Sequence, residues 1–251
     1  MWNWPEKLQE LKNSNTPHAC ITITDVGGSA PREVGAKMIL LNSGEFFGTI
    51  GGGHLEQFLL NSAQHALQEG KSLTKTIPLG AQTGQCCGGV VTCFIEIIKP
   101  CPQLLLFGAG HVGQAICQVL QGTPFHIHLF DERPNWLNQQ SDQEHITCHQ
   151  NLKVDQALFD AKNTYASILT HSHDLDFTIL NELLDEPLRY LGLIGSLAKK
   201  TRFYKRLQEQ QTATHLVEKI TCPIGLNIGG KAPKEIAIAL AAQLLGLYHE
   251  T

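Results

Sequence analysis

The sequence predicts the α/β class: a C-terminal doubly wound parallel sheet preceded by a smaller α+β domain. Three observations predict it. Gln103–Gly113 reads QLLLFGAGHVG, an apolar run flowing into Gly108, Gly110 and Gly113 at G-x-G-x-x-G spacing, the signature of the first strand and turn of a Rossmann-like unit. From there to the C-terminus apolar runs alternate with helical patterns, as a parallel sheet with crossover helices requires. Ahead of it, β-branched segments are separated instead by glycine-rich turns. The boundary is Lys99–Pro102 (KPCP), where two prolines block both ladder pairing and helix continuation, and the expected domains are 1–99 and 103–251.

A chain of 251 residues is long enough for two modest cores. Its net charge of -4 provides no electrostatic footprint for nucleic acid or an anionic membrane, and neither partner is expected. The opening MWNWPEKLQELKNSN lacks a signal-peptide pattern and no apolar run approaches a membrane span, so a cytoplasmic protein is expected. Eight cysteines in a chain of this size do not suggest a disulfide framework. Cys20, Cys93 and Cys117 sit within apolar runs and read as small buried hydrophobes.

In chain order, Pro5–Lys12 reads as a short amphipathic helix with proline near its start. His18–Thr24 and Lys37–Leu41 read as strands, joined by the turn GGSAPREVG. Gly48–His54 (GTIGGGH) runs into a helix over Leu55–Leu67, which makes Gly51, Gly52, Gly53 and His54 a candidate backbone cradle for an anion. Lys71–Ile77 and Val90–Ile98 are the remaining strands of this half. Between them Gln85, Cys86 and Cys87 stand in a glycine-rich loop. Adjacent cysteines need two further ligands to hold structural zinc, and no C-x-x-C occurs to supply them, so the loop reads as presenting one or two thiols to solvent or ligand.

In the second half, Gly108 permits the tight turn, Gly110 lets backbone approach a phosphate, and Gly113 lets the helix beginning near His111 pack against the strand. The next strand, Phe125–Phe130, delivers Asp131 where an acid normally takes ribose hydroxyls. His126 and His128 alternate with apolar neighbours and read as structural. Asp155–Ala161 is expected to be helical, Ala166–Thr170 a strand, Phe177–Leu184 a helix and Tyr190–Ile194 a strand. Gly195 and Ser196 open a helix through Gln208, with Ser196 as N-cap. A last short strand ends at Thr221-Cys222, and Ala232–Leu247 is the closing helix. THSHDLD at Thr170–Asp176 fails the dinuclear pattern H-x-H-x-D-H, because Leu175 and Asp176 stand where Asp and His are needed. No metal site is expected; His171, His173 and Asp174 remain candidate polar ligands at a strand end, with a first-row metal as the minority reading. Ligands of such sheets bind beyond the carboxyl ends of the strands, where Gly108–Gly113, Asp131–Arg133, His171–Asp176, Gly195-Ser196 and Cys222–Gly230 should share one crevice.

Seven segments together resemble the XdhC/CoxI family of accessory factors for molybdenum hydroxylases. They are GSAPREVGAKM (Gly28–Met38), GTIGGGHLE (Gly48–Glu56), GQCCGG (Gly84–Gly89), LLLFGAGHVG (Leu104–Gly113), THSHDLD, LGLIGSLAKKTRF (Leu191–Phe203) and CPIGLNIGGKAPKEIA (Cys222–Ala237). The resemblance implies a protein that is not a turnover enzyme. It would bind the molybdenum cofactor, hold it through terminal sulfuration with a cysteine desulfurase, and pass it to apo xanthine dehydrogenase or a related hydroxylase. The metal of that cofactor is held by the pterin's own sulfurs. Two locations stay open: the turn Gly108–Gly113 with Asp131, suited to NAD(P) or a nucleotide-extended pterin, and a site between the domains using Gly51–His54 and Gln85–Cys87. The rival readings are an NAD(P)-dependent oxidoreductase, with His111, His173 or a cysteine as acid/base, and a protein adaptor. A homodimer is expected, two-fold assemblies being the commonest among oligomers.

Overall fold

A computed structural model describes residues 4–80, 88–140 and 143–250. The chain forms two compact units, Met1–Pro100 and Cys101–Thr251.

The first unit is an antiparallel sheet with one long helix on it. Its helices are α1 (Trp4–Asn13) and α2 (Gly53–Glu69); its strands are β1 (His18–Gly27), β2 (Lys37–Leu41), β3 (Phe46–Gly48), β4 (Leu73–Pro78) and β5 (Val90–Ile98). The sheet order is β3-β2-β1-β5-β4. β1 is central because it pairs along its whole length with β5, from His18 opposite Ile98 to Gly27 opposite Val90. Alternation puts Ala19, Ile21 and Ile23 on one face with Met38, Val91, Cys93 and Ile95. α2 closes that face with Leu55, Leu59, Ala63 and Ala66, a stripe at helical spacing.

The second unit is a six-stranded, wholly parallel sheet: β6 (Gln103–Phe107), β7 (His126–Phe130), β8 (Ile146–His149), β9 (Thr164–Ile168), β10 (Tyr190–Leu193) and β11 (Ile220–Thr221). Its order is β11-β10-β9-β6-β7-β8, so the strand order reverses between β6 and β9, as in a Rossmann sheet. Both faces are covered. α3 (His111–Leu120) and α8 (Pro233–His249) bury Leu104, Leu106, Ile127 and Leu129 on one side. α5 (His173–Leu183), α6 (Leu197–Glu209) and α7 (Thr214–Glu218) bury Leu105, Phe107, Ala166 and Ile168 on the other. This accounts for the unbroken apolar character of LLLF. The expected α/β class, with a Rossmann-like C-terminal sheet after a smaller α+β part, is the fold observed.

Local expectations differ in three places. The helix expected over 155–161 is a single 3-10 turn, Gln156–Leu158. Asp155 accepts from the Ala157 amide at 2.9 Å and Asp160 from the Lys162 amide at 2.9 Å, and such side-chain turns at both ends compete with helix formation. β3, β8, the one-turn helix α4 (Pro134–Leu137) and α7 are short elements that no periodicity announced. α5 begins at His173, not Phe177, because Ser172 caps it by accepting from the Leu175 amide. Among the described residues no helix is long and apolar enough to cross a membrane.

Candidate functional site

The parallel sheet brings the loops after β6, β7, β9, β10 and β11 to one edge of the second unit. After β6 the glycines are set by packing. A Cβ on Gly108 would lie 2.3 Å from the Leu169 carbonyl oxygen, and one on Gly113 would lie 2.0 Å from that of Gly108. No side chain fits at either position. At Gly110, the N-cap of α3, a Cβ would meet nothing within 4 Å.

Asp131 is 4% exposed and closes this turn from within. Its Oδ2 accepts from the Ala109 amide at 2.8 Å and Arg133 Nη2 at 2.7 Å; its Oδ1 accepts from the Arg133 amide at 3.0 Å and Arg133 Nε at 2.8 Å. A carboxylate offers about four lone-pair sites, and all are engaged. The carboxylate expected at ribose hydroxyls instead braces the glycine turn. Burial pushes its pKa up, but the hydrogen bonds from Arg133 and Ala109 outweigh that and hold it below the ordinary value. Over the turn, His111 meets Trp136 edge-to-face at 5.1 Å, with the Arg133 guanidinium 5.5 Å from the same ring.

Between the loops after β9 and β10 lies a buried ion pair. Lys199 Nζ donates to Asp176 Oδ2 and to the Ile194 carbonyl at 2.8 Å. Asp176 Oδ1 accepts from the Thr170 amide at 2.9 Å and hydroxyl at 2.7 Å. The two residues are 6% and 1% exposed, so the ion pair, held by neutral hydrogen bonds, joins THSHDLD to GSLAKK. Gly195 makes room for the lysine: a Cβ there would lie 2.5 Å from Lys199 Cδ. Ser196 caps α6, accepting from the Lys199 amide at 3.3 Å. His171 and His173 are exposed, and His173 Nδ1 accepts from Arg202 at 2.8 Å. Among the described residues no three His, Cys, Asp or Glu side chains are placed to hold a metal ion.

Beyond β10 and β11 a cavity of about 730 Å³ opens, lined by Ile194–Leu197, by 223–231, and by Ile236 and Ala239 of α8. Of the expected site residues it contains Gly195 and Ser196; Gly108, Gly110, His111, Gly113, Asp131, His171 and His173 are not in its lining.

In the first unit three glycine-rich loops meet at one end of the sheet. A Cβ on Gly51 would lie 2.5 Å from the Pro31 ring, and one on Gly89 would lie 2.2 Å from the Ser29 carbonyl oxygen. The Gly51–Gly53 cradle is filled by the chain's own carboxylate. Glu56 Oε2 accepts from the Thr49 hydroxyl at 2.6 Å, the Ile50 amide at 3.3 Å and the Gly52 amide at 3.1 Å, while the Gly51 amide donates to the Thr49 hydroxyl at 3.2 Å. His54 is exposed in the first turn of α2. A glutamate in the first turn of a helix is the sequence signal that predicts this closure. Gln85, Cys86 and Cys87 lie outside the described residues.

Burial raises the thiol pKa of Cys20, Cys148 and Cys222, lifts that of Cys93 to about 11 and that of Cys117 to about 12. His128, between β6 and β8, donates from Nε2 to Gln103 Oε1 (2.9 Å), and its Nδ1 accepts from His149 Nε2 (3.0 Å). Its burial, with His126 and His149 alongside, lowers its pKa to about 4. The histidine pair expected to be structural is part of this ladder.

Comparison with known proteins covers both units. A model described as the XdhC Rossmann domain matches residues 104–244, and one described as the XdhC and CoxI family matches residues 11–78. The uncharacterized protein YqeB of Escherichia coli (strain K12) is 32% identical over 94% of this chain and 44% of its own length. A probable xanthine dehydrogenase subunit of Bacillus subtilis (strain 168) is 31% identical over 61% of this chain and 44% of its own. The chain thus spans less than half the length of these two relatives. The molybdenum cofactor insertion chaperone PaoD of Escherichia coli (strain K12) is 20% identical over 89% of this chain and 81% of its own. A crystal structure of a xanthine dehydrogenase from Bacillus halodurans shares the fold, with a TM-score of 0.51 at 22% identity over 98% of this chain and 95% of that one.

Proposed function

The chain belongs to the XdhC and CoxI family, and from that premise we propose that it is a maturation factor for a molybdenum hydroxylase. In this reading it binds the molybdenum cofactor and holds it through terminal sulfuration beside a cysteine desulfurase. It then delivers the cofactor to apo xanthine dehydrogenase or a related enzyme. The names of two relatives, a molybdenum cofactor insertion chaperone and a probable xanthine dehydrogenase component, support the direction.

The observation that carries the reading over its rival is the closure of Asp131. An NAD(P)-dependent oxidoreductase needs that carboxylate, or a free arginine beside it, for the adenosine ribose. Here Asp131 and Arg133 are bound to each other in a bidentate pair, and the carboxylate also holds Ala109. Backbone packing accounts for Gly108 and Gly113, while Gly110 stands in open space at the start of α3. A cofactor whose metal is already held by its own sulfurs requires an organic seat from this chain. The cavity beyond β10 and β11 has the size of small-molecule sites. Cys86 and Cys87 are proposed as the thiols that serve sulfuration.

The test is retention. The purified chain is mixed with molybdenum cofactor and desalted, and the retained pterin is oxidised and read by fluorescence beside a control protein. Retention near one per chain is expected, with no nicotinamide absorbance change in a parallel titration. No retention, or a saturable nicotinamide signal in its place, removes the carrier reading. Replacing Cys86 and Cys87 with serine is expected to leave binding and abolish maturation of the client; full maturation would exclude both thiols from the sulfur step.

A further inference from the structure

The cavity beyond β10 and β11 carries side chains that no packing duty explains. Leu197, Leu226 and Ile228 stand 70%, 50% and 55% exposed in its lining. Three aliphatic side chains from the start of α6 and one loop, gathered at a concave site, mark a surface completed by a ligand. The loop is fixed at its base, where the Gly225 amide donates to Gln243 Oε1 at 2.8 Å and the Leu226 amide to the Ala239 carbonyl at 3.1 Å. Beyond that anchor every residue from Leu226 to Glu235 is exposed.

The charge in the lining is one-sided. Lys231 makes no ion pair among the described residues, and no acid lines the cavity. Glu235, which follows on α8, has its carboxylate against Gly230 at the edge of the lining, where it accepts from the Ala232 amide at 2.9 Å and makes no ion pair with Lys231 among the described residues. Aliphatic walls with one unpaired cation suit a ligand with a flat or apolar body and an anionic tail. In the other two expected anion sites the chain's own carboxylates already take turn amides, Glu56 those of Ile50 and Gly52 and Asp131 that of Ala109.

We propose that this cavity seats the ring system of the pterin cofactor against Leu197, Leu226 and Ile228, with its phosphate at Lys231. The proposal rests on the carrier function above and gives it a location that neither glycine motif supplies.

The experiment is the same retention measurement on Lys231→Glu, Lys231→Arg and Ile228→Trp, all at exposed positions, with thermal midpoints confirming that each variant is folded. Lys231→Glu and Ile228→Trp are expected to weaken retention on the order of tenfold or more, and Lys231→Arg to keep it. Retention by the unaltered chain together with equal retention by Lys231→Glu and Ile228→Trp overturns the seat and leaves the carrier function standing. Loss with Lys231→Glu alone, Ile228→Trp binding normally, overturns the ring position. No retention by the unaltered chain overturns the carrier function, and the seat falls with it.

Discussion

Two glycine-rich turns that read alike in sequence, Gly51–Gly53 ahead of α2 and Gly108–Gly113 ahead of α3, are closed by carboxylates drawn from very different distances along the chain. Glu56 lies within the first turn of the helix it serves, so its closure is local and its hydrogen bonds are half-buried. Asp131 comes from the end of the neighbouring strand, is buried, and brings Arg133 with it. A glycine motif reports that backbone must pass closely; whether an anion is wanted there depends on which carboxylate the fold has already placed. The loop pair after β9 and β10 follows the second pattern, with Asp176 answered by Lys199.

The contrast is broken most severely at Gly113. Gly113→Val drives a side chain into backbone and should cost more than about 4 kcal/mol, leaving the second unit unfolded by circular dichroism. Gly52→Ala meets open space but a backbone of φ 75° and ψ -175° that side chains rarely adopt, and should cost about 1–3 kcal/mol by urea midpoint. Equal effects would mean that the turn before α3 has the same slack as the turn before α2.

Next comes Lys199→Met, which leaves Asp176 buried without its cation and should lose about 3 kcal/mol or more. The double change with Asp176→Leu should recover part of that loss. A double variant no better than the single would show that the ion pair is not the unit that matters.

The pH dependence sharpens the comparison further, because two windows separate. His128 has a folded pKa near 4, below its ordinary value, so the unfolded chain binds more protons between the two values. Stability should therefore fall by on the order of 2 kcal/mol as pH drops from about 6.5 toward 4, and His128→Gln should flatten that slope. Asp131, depressed below its ordinary value, contributes fully above about pH 4, and its contribution is lost only as pH falls through the lower folded value. Asp131→Asn should alter the acid limb and leave the histidine window untouched. The smallest effect is Glu56→Gln, about 1 kcal/mol, since the amide oxygen still accepts from the Gly52 amide.

Much of this was legible in the residues. The strand Gln103–Phe107 and the turn into α3 follow from an apolar run and glycine spacing, because a strand buried on both faces has no other way to be written, while Val90–Ile98 follows from its alternation over one buried face. β8 escaped because ITCH is four residues long, too short for any period to show. The helix expected over 155–161 failed because Asp155 and Asp160 bond to nearby amides, a competition that apolar spacing ignores. Lys199 reads as one of several solvated cations in the first turns of α6 until Asp176, on a preceding helix, is placed beside it. The cavity was half visible, in Gly195-Ser196 and Cys222–Gly230; that Leu226 and Ile228 stay exposed instead of folding inward is a tertiary fact with no local signature.

The elevated thiols of the two cores make most of this protein's sulfur silent to electrophiles at neutral pH. Alkylation requires thiolate, and Cys20, Cys93, Cys117 and Cys222 are buried with their thiol pKa raised, while Cys148 is half-buried with its pKa raised as well. Of the six described cysteines, Cys101 is the exposed one, and a brief iodoacetamide pulse on the folded chain should mark it ahead of the buried four. Peptide mapping of that label, with and without a carried cofactor, reads any change at the proposed sulfur-handling pair, Cys86 and Cys87, against a quiet background.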